Sequence, residues 1–319
     1  MKFAVIGAGG IGCYYAARLL EAGEDVDLVA RGEHLKAMQT LGLEVQHAEL
    51  QFKQAVNALS LEGWLESTRP EQVDVIVVCL KAMQTHAFAE RLKVWFESST
   101  TSKLPFVLSL QNGVENEKQL HAVLPEGVVL GGIARRIGAH IIKPGVVESV
   151  GPAQVIMGLW PNHQTLPESW ADRIQQLSSC FNQANIPTDV SPDINKELWR
   201  KLIINNGVNP LCALLEMKTG EATPRDNLKP LIHGAMEEAV LAAKANGVAL
   251  TEADLDEMLE LISTFDSIKP SMLVDREKGR PLEIEEICGV VIRGCKALGL
   301  DAPYNRTIST LLSVLVNEH

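Results

Sequence analysis

The sequence predicts a doubly wound α/β domain, a parallel sheet covered by helices on both faces, followed by an all-α domain. Three observations predict it. Short β-branched runs alternate with helical patterns through the first half of the chain, those runs are apolar throughout, and beyond Asp193 the periodicity is almost only helical. A length of 319 residues agrees, because it exceeds what one core ordinarily encloses.

The elements follow in order. KFAVI (2–6) precedes a helical pattern over 11–22, DVDLVA (25–30) one over 33–41, VDVIVVCL (73–80) one over 82–97, and PFVLSL (105–110) one over 115–124. After VVLGG (128–132) the pattern changes to AHIIK, GVVESV and AQVIMGLW, separated by Pro-Gly and Gly-Pro pairs that favour tight turns. These read as antiparallel edge strands. A helix over 168–185 and the short strand IPTDVS (186–191) close the first domain. Ser191-Pro192-Asp193 marks the boundary, since proline disfavours helix in the residue before it and suits a helix's first turn. The domains are therefore expected at 1–191 and 192–319. Helical periods run over 194–209, 227–246, 253–264, 283–298 and 303–316, with Gly247 and Gly299 where left-handed C-caps belong.

Composition narrows the function. A net charge of -11, with no basic run longer than Arg135-Arg136, repels phosphate backbones and excludes nucleic acid as a partner. No apolar run approaches the roughly 18 to 20 residues that cross a bilayer, and MKFAVIGAGGIG is no cleavable leader, so a cytoplasmic protein without a membrane partner is expected. The six cysteines are scattered without a CxxC and read as reduced core thiols, and the eight dispersed histidines predict no metal site.

Gly7, Gly9 and Gly12 form GxGxxG between the first strand and the first helix. The first glycine permits the turn, the second lets a pyrophosphate approach the backbone, and the third lets helix pack on strand, while free N–H groups and the helix dipole face the anion. A dinucleotide is expected on Gly7, Ala8, Gly9, Gly10, Ile11 and Gly12, in a Rossmann-type domain. At the end of the second strand an acid would take a ribose hydroxyl and an arginine a 2′-phosphate. Asp27 lies inside the strand and Arg31 lies beyond its carboxyl end, which predicts NADP(H). Lys81, with Gln84 one turn on, and Gln111-Asn112 end two further strands, where ligands of open α/β sheets bind.

In LWRKLIINNGVNPL (198–211), Lys201, Asn205 and Asn209 stand four apart and line one helix face among aliphatic neighbours. Asparagine is a mediocre helix former, and Trp199 with the aliphatics suggests burial, so the stripe is expected to face a ligand. Low dielectric disfavours an ammonium, which makes such a lysine a candidate general acid for the oxygen of a ketone receiving hydride. The asparagines would orient the substrate's other oxygens.

These segments resemble a known family. GAGGIG (7–12), CLKAMQT (79–85), QNG (111–113), LWRKLIINNGVNPL and SMLVDREKGRPLEIEEICG (271–289) are similar, in that order, to the motifs of ketopantoate reductases. The resemblance implies NADPH-dependent reduction of 2-dehydropantoate to pantoate, in pantothenate biosynthesis, by a Rossmann domain followed by a helical one. By the same resemblance Lys201 matches the catalytic lysine, and Asn205, Asn209 and Ser271 match substrate-binding positions. Lys81 and Asn112 match cofactor contacts, Asn112 also near substrate, and Arg31 matches the residue for the 2′-phosphate. Glu283 matches an acid that binds the cofactor ribose and helps organise the lysine. Its neighbours Glu285 and Glu286 read as a solvated helix start favoured by the dipole.

Three departures bear on the substrate. Thr219 stands where the family often has asparagine, Leu282 where threonine commonly precedes the acid, and GGIARRIGAH (131–140) is unlike the family's small, threonine-rich loop. A different 2-oxo acid is one alternative, a β-hydroxyacid dehydrogenase a second, and a non-catalytic NADP(H)-binding sensor a third. The expected partner is a small 2-oxo acid, and a homodimer is compatible with the sequence.

Overall fold

A computed structural model describes residues 1–101, 103–162, 168–265 and 267–317. The chain divides into two compact units, one of Met1–Gln111 with Glu115–Ile194, the other of Asn112–Val114 with Asn195–His319.

The first unit opens with β1 (Lys2–Ile6), α1 (Gly10–Glu21), β2 (Asp25–Val29) and α2 (Gly32–Leu41). There follow β3 (Leu43–His47), β4 (Leu50–Gln54), β5 (Asn57–Leu59), α3 (Leu61–Ser67), β6 (Val75–Val78), α4 (Thr85–Glu97), β7 (Phe106–Ser109) and α5 (Asn116–His121). It closes with β8 (Val129–Arg135), β9 (Gly138–Lys143), β10 (Val146–Val150), β11 (Gln154–Leu159), α6 (Glu168–Gln183) and β12 (Thr188–Val190). Among the described residues the main sheet has the order β12-β11-β8-β7-β6-β1-β2-β5. Neighbours from β5 to β8 are parallel, β11 is antiparallel to β8, and β12 is parallel to β11. The chain leaves β1 for β2 on one side and later enters β6 on the other, so the end of β1 is the switch point where such sheets take ligands.

Both faces of the sheet are buried, which is why its strands read as unbroken apolar runs. Phe3, Val5, Val75 and Val77 belong to one core, and Ala4, Ile6, Ile76 and Val78 to the other, following the two-residue period of a strand.

The expectation of antiparallel edge strands over 139–160 needs correction. β9 and β10 form an antiparallel hairpin but belong to a separate sheet, ordered β4-β3-β10-β9, in which β10 runs parallel to β3. β11 lies between β8 and β12 and is no edge. The second sheet packs on α1, which explains why that helix is buried from Gly12 through Leu19. Even Arg18 is enclosed: its Nε donates to the Tyr14 hydroxyl at 3.0 Å and its Nη1 to the Glu49 carbonyl at 3.2 Å.

The second unit is helical: α7 (Ile194–Leu215), α8 (Thr219–Ala222), α9 (Lys229–Ala245), α10 (Glu252–Ser263), α11 (Ser271–Glu277), α12 (Val290–Ala297) and α13 (Pro303–Asn317). Expected as a helix to Asn209, α7 continues through Pro210 to Leu215. Proline removes one backbone donor, but Leu198, Trp199, Leu202, Ile203, Val208, Leu211 and Cys212 are all buried, and that packing outweighs the local break. Gly247 and Gly299 end their helices at φ of 72° and 73°, as the C-cap reading requires. A π-helical turn, Glu285–Gly289, precedes α12 where a regular helix start was expected. Among the described residues no helix is long and apolar enough to cross a membrane.

Candidate active site

In the first unit the glycine loop is built by three steric constraints. Gly7 has φ +95°, and a Cβ there would lie 2.8 Å from the backbone of Cys79 and Leu80. At Gly12 a Cβ would lie 2.5 Å from the Gly7 carbonyl oxygen, and at Gly10 only 2.1 Å from that of Ala139 on β9. Gly9 differs, because a Cβ there would meet nothing closer than 4.0 Å. The fold thus demands glycine at 7, 10 and 12, whereas position 9 borders open space, the place where a pyrophosphate would approach.

The loop is held from two sides. Gly7 and Ala8 donate their N–H groups to the Val29 carbonyl at 3.0 and 2.9 Å, binding it to the end of β2. The first α1 hydrogen bond is Cys13 N–H to the Gly9 carbonyl, so the N–H groups of Gly10, Ile11 and Gly12 precede the helical ladder. The first turn carries no acid and no side-chain cap, which suits an anion. Below it, burial holds the pKa of His34 under its ordinary value, against a hydrogen bond with the Ala8 backbone. Its Nδ1 accepts from Gly145 N–H at 3.0 Å, and its Nε2 lies 3.4 Å from Cys13 Sγ.

Arg31 follows the end of β2, exposed and extended, with Val29 pinned to the glycine loop two residues before it. Asp27 is spent elsewhere. Only 1% exposed, it accepts from Lys2 Nζ at 2.7 Å, Asn57 Nδ2 at 2.6 Å and Trp64 Nε1 at 3.3 Å. Lys81 is half-buried beyond the end of β6, at the start of the 3-10 turn Ala82–Gln84. Gln111 Nε2 donates to the Leu80 carbonyl at 3.1 Å and Thr85 Oγ1 at 2.8 Å, joining the ends of β6 and β7 just before Asn112.

In the helical unit, Lys201 and Asn205 are half-buried and Asn209 is buried, one above the other on α7. The adjoining cations are committed: Arg200 Nη1 and Lys196 Nζ reach Asp254 Oδ1, at the start of α10, at 2.9 and 3.1 Å. Asn112 Nδ2 donates to Glu283 Oε2 at 3.4 Å, bringing together two candidates 171 residues apart. Glu283 is buried, as is Leu282 before it. Ser271 is half-buried at the first position of α11. That helix is tied to the end of α7 by Arg276, which donates to the carbonyls of Ala213 and Leu214. Thr219 is 2% exposed; its hydroxyl donates to the Ile268 carbonyl at 3.1 Å and accepts from the Ile268 N–H at 3.3 Å.

Glu285 is exposed and pairs with Arg293 at 3.0 Å, as a solvated helix start would. Glu286 does not fit that reading, being half-buried. Burial pushes its carboxyl pKa up, and the neighbouring Glu283 and Glu285 add to the rise against its own backbone N–H and Arg293. A raised folded pKa means that the group's contribution is complete below the ordinary value of 4.5 and is lost as pH rises through the folded value. Glu286→Gln is therefore expected to melt higher than wild type at neutral pH, the difference vanishing toward acid, as thermal denaturation across pH would report. Equal melting at neutral pH would contradict this.

Sequence reasoning missed the buried amide Asn206. It stands in the same Asn-Asn run as Asn205 but points, one residue on, to another face of α7, where its Nδ2 donates to the Ile287 carbonyl. The run of asparagines was the signal.

Residues 3–162 match the family described as Ketopantoate reductase PanE/ApbA, and residues 193–316 the one described as Ketopantoate reductase PanE/ApbA C terminal. A 2-dehydropantoate 2-reductase of Pyrococcus abyssi is 31% identical over 308 residues, covering 96% of this chain and 94% of that one. The solved 2-dehydropantoate 2-reductase of Geobacter metallireducens is 30% identical with TM-score 0.82, over 99% of this chain and 100% of that one. D-mandelate dehydrogenase, solved with NADH and anilino(oxo)acetate, shares the fold at TM-score 0.86 and 22% identity, over 100% of this chain and 99% of that one.

Proposed function

The chain belongs to the ketopantoate reductase family of oxidoreductases, and from that premise we propose that it reduces 2-dehydropantoate to pantoate with NADPH, Lys201 giving the proton. The observation that carries this reading is the α7 stripe, an ammonium and two amides one turn apart in a helix that buries Leu198, Trp199, Leu202, Ile203, Val208, Leu211 and Cys212.

The glycine loop fits the cofactor's pyrophosphate, with open space at Gly9 and the N–H groups of Gly10, Ile11 and Gly12 at a helix start. Arg31 would hold the 2′-phosphate, and Lys81, Asn112 and Glu283 the remaining contacts, Glu283 at the ribose. When bound, NADPH supplies the hydride. The chain supplies the rest: Lys201 stabilises negative charge developing on the ketone oxygen and protonates it. Asn205, Asn209, Ser271 and Asn112 orient the substrate, and Glu283 organises the ammonium. Six free cysteines suit a reducing cytoplasm as the place of reaction.

The test is a panel of 2-oxo acids, ketopantoate first, mixed with NADPH and followed by absorbance of the reduced cofactor. No oxidation with any member would sink the reading. Fastest turnover of another member would favour a second reading, a different 2-oxo acid, for which the engagement of Thr219 with Ile268 speaks. Arg31→Ala is expected to weaken NADPH about 10- to 100-fold while leaving NADH unchanged, since charged hydrogen bonds contribute roughly 1.5–3 kcal/mol. Fluorescence titration reads it, and equal losses for both nucleotides would remove the arginine from the 2′-phosphate.

A further inference from the structure

One set of polar groups in the helical unit has no part in the proposed reaction and is buried as deeply as the core. Glu238 on α9, Asn305 on α13 and Asn206 on α7 are 5%, 1% and 1% exposed. They form a chain of hydrogen bonds with a fixed direction. The Glu238 carboxylate accepts from the backbone N–H of Tyr304 at 2.9 Å and from both the backbone N–H and Nδ2 of Asn305, at 2.9 and 2.8 Å. This decides how the Asn305 amide lies: Nδ2 faces the carboxylate and the Ala235 carbonyl, and Oδ1 faces Asn206. Asn206 Nδ2 then donates both to Asn305 Oδ1 and to the Ile287 carbonyl, the latter at 3.1 Å.

Ile287 sits in the π-helical turn, and its N–H donates to the Glu283 carbonyl at 3.2 Å. Such turns interrupt the regular helical ladder and recur at functional sites. Here the interruption is held by a side chain from α7, the residue immediately after Asn205. One amide therefore ties the turn, whose Ile287 N–H holds the Glu283 carbonyl, to the helix that carries Lys201, Asn205 and Asn209.

We infer that Asn206 is a positioning residue, its amide holding Glu283 and the α7 stripe in one register, with Glu238 setting the direction of the amides that lead to it. The inference rests on the proposed roles of Lys201 and Glu283. Removing the Asn206 amide deprives two buried acceptors, the Ile287 carbonyl and Asn305 Oδ1, of a donor. The turn then loses this hydrogen bond to α7. Misplacement on the order of 1 Å costs about 100-fold in rate.

Asn206→Ala is the test, assayed with saturating NADPH and ketopantoate. The expected result is a kcat lower by about 10- to 100-fold, with KM and the NADPH Kd changed far less and the alkaline limb of the pH profile displaced. Asn206→Ser, whose hydroxyl can still donate to Ile287, should recover part of the rate. Should the alanine variant fail to fold, Glu238→Gln decides: isosteric and three hydrogen bonds from the turn, it should lower kcat in the same sense. A folded variant that merely melts lower, with kcat and pH profile as in wild type, would overturn the inference and leave a structural network. Wild type inactive on every 2-oxo acid would instead sink the proposed function. The pH dependence of Lys201 acetylation, read by mass spectrometry, then replaces turnover, and an identical midpoint in wild type and variant would overturn the positioning role.

Discussion

Lys201→Ala is expected to lower kcat on ketopantoate by about 10²- to 10⁴-fold while leaving NADPH binding within reach of wild type. The reason is differential: an ammonium beside a ketone gains most as negative charge grows on oxygen, so its loss falls on the transition state more than on the bound ground state. Half-burial of Lys201 adds to this, since lower local dielectric strengthens the interaction. Lys201→Arg should recover only part of the loss, keeping the charge while holding its proton too firmly to give it up at neutral pH. Steady-state kinetics with a parallel NADPH titration separates these outcomes. A loss of less than about tenfold in the alanine variant would take the lysine out of the proton transfer.

The second large effect belongs to Gly9. Gly9→Ala should fold and melt as wild type does, because its Cβ meets nothing closer than 4.0 Å. It should nevertheless weaken NADPH by about 10- to 100-fold, since a methyl group in a close-packed contact costs roughly 1–3 kcal/mol. Gly10→Ala supplies the contrast: with the Ala139 carbonyl 2.1 Å from the added carbon, the fold itself must shift, and melting temperature should fall along with affinity. Melting curves and cofactor titrations on both variants decide. Wild-type affinity in Gly9→Ala would show that no pyrophosphate lies against that glycine.

The alternation of strands and helices was legible because burial on both faces of a sheet leaves a local mark, as in Val75–Val78. The α7 stripe was legible for the same reason, a period of four among aliphatics. The second sheet was not, because β3 pairs with β10 about a hundred residues further along, and neither short strand announces a distant partner. The choice of Glu283 among its acidic neighbours was reached only through family resemblance, its hydrogen bond with Asn112 left no mark in the sequence, and the burial of Glu286 contradicts what its charged neighbours suggest. Pro210 within α7 shows packing overruling a local stop signal.

The assignment of Asn112–Val114 to the helical unit has a consequence for dissection. The polypeptide passes between units at Gln111/Asn112, Val114/Glu115 and Ile194/Asn195, so no single cut separates them. A fragment starting at Asn195 would carry the lysine and the glutamate yet lack the amide that donates to Glu283. Truncation thus trims the helical half of its own inner parts, and a C-terminal piece made alone is an incomplete body.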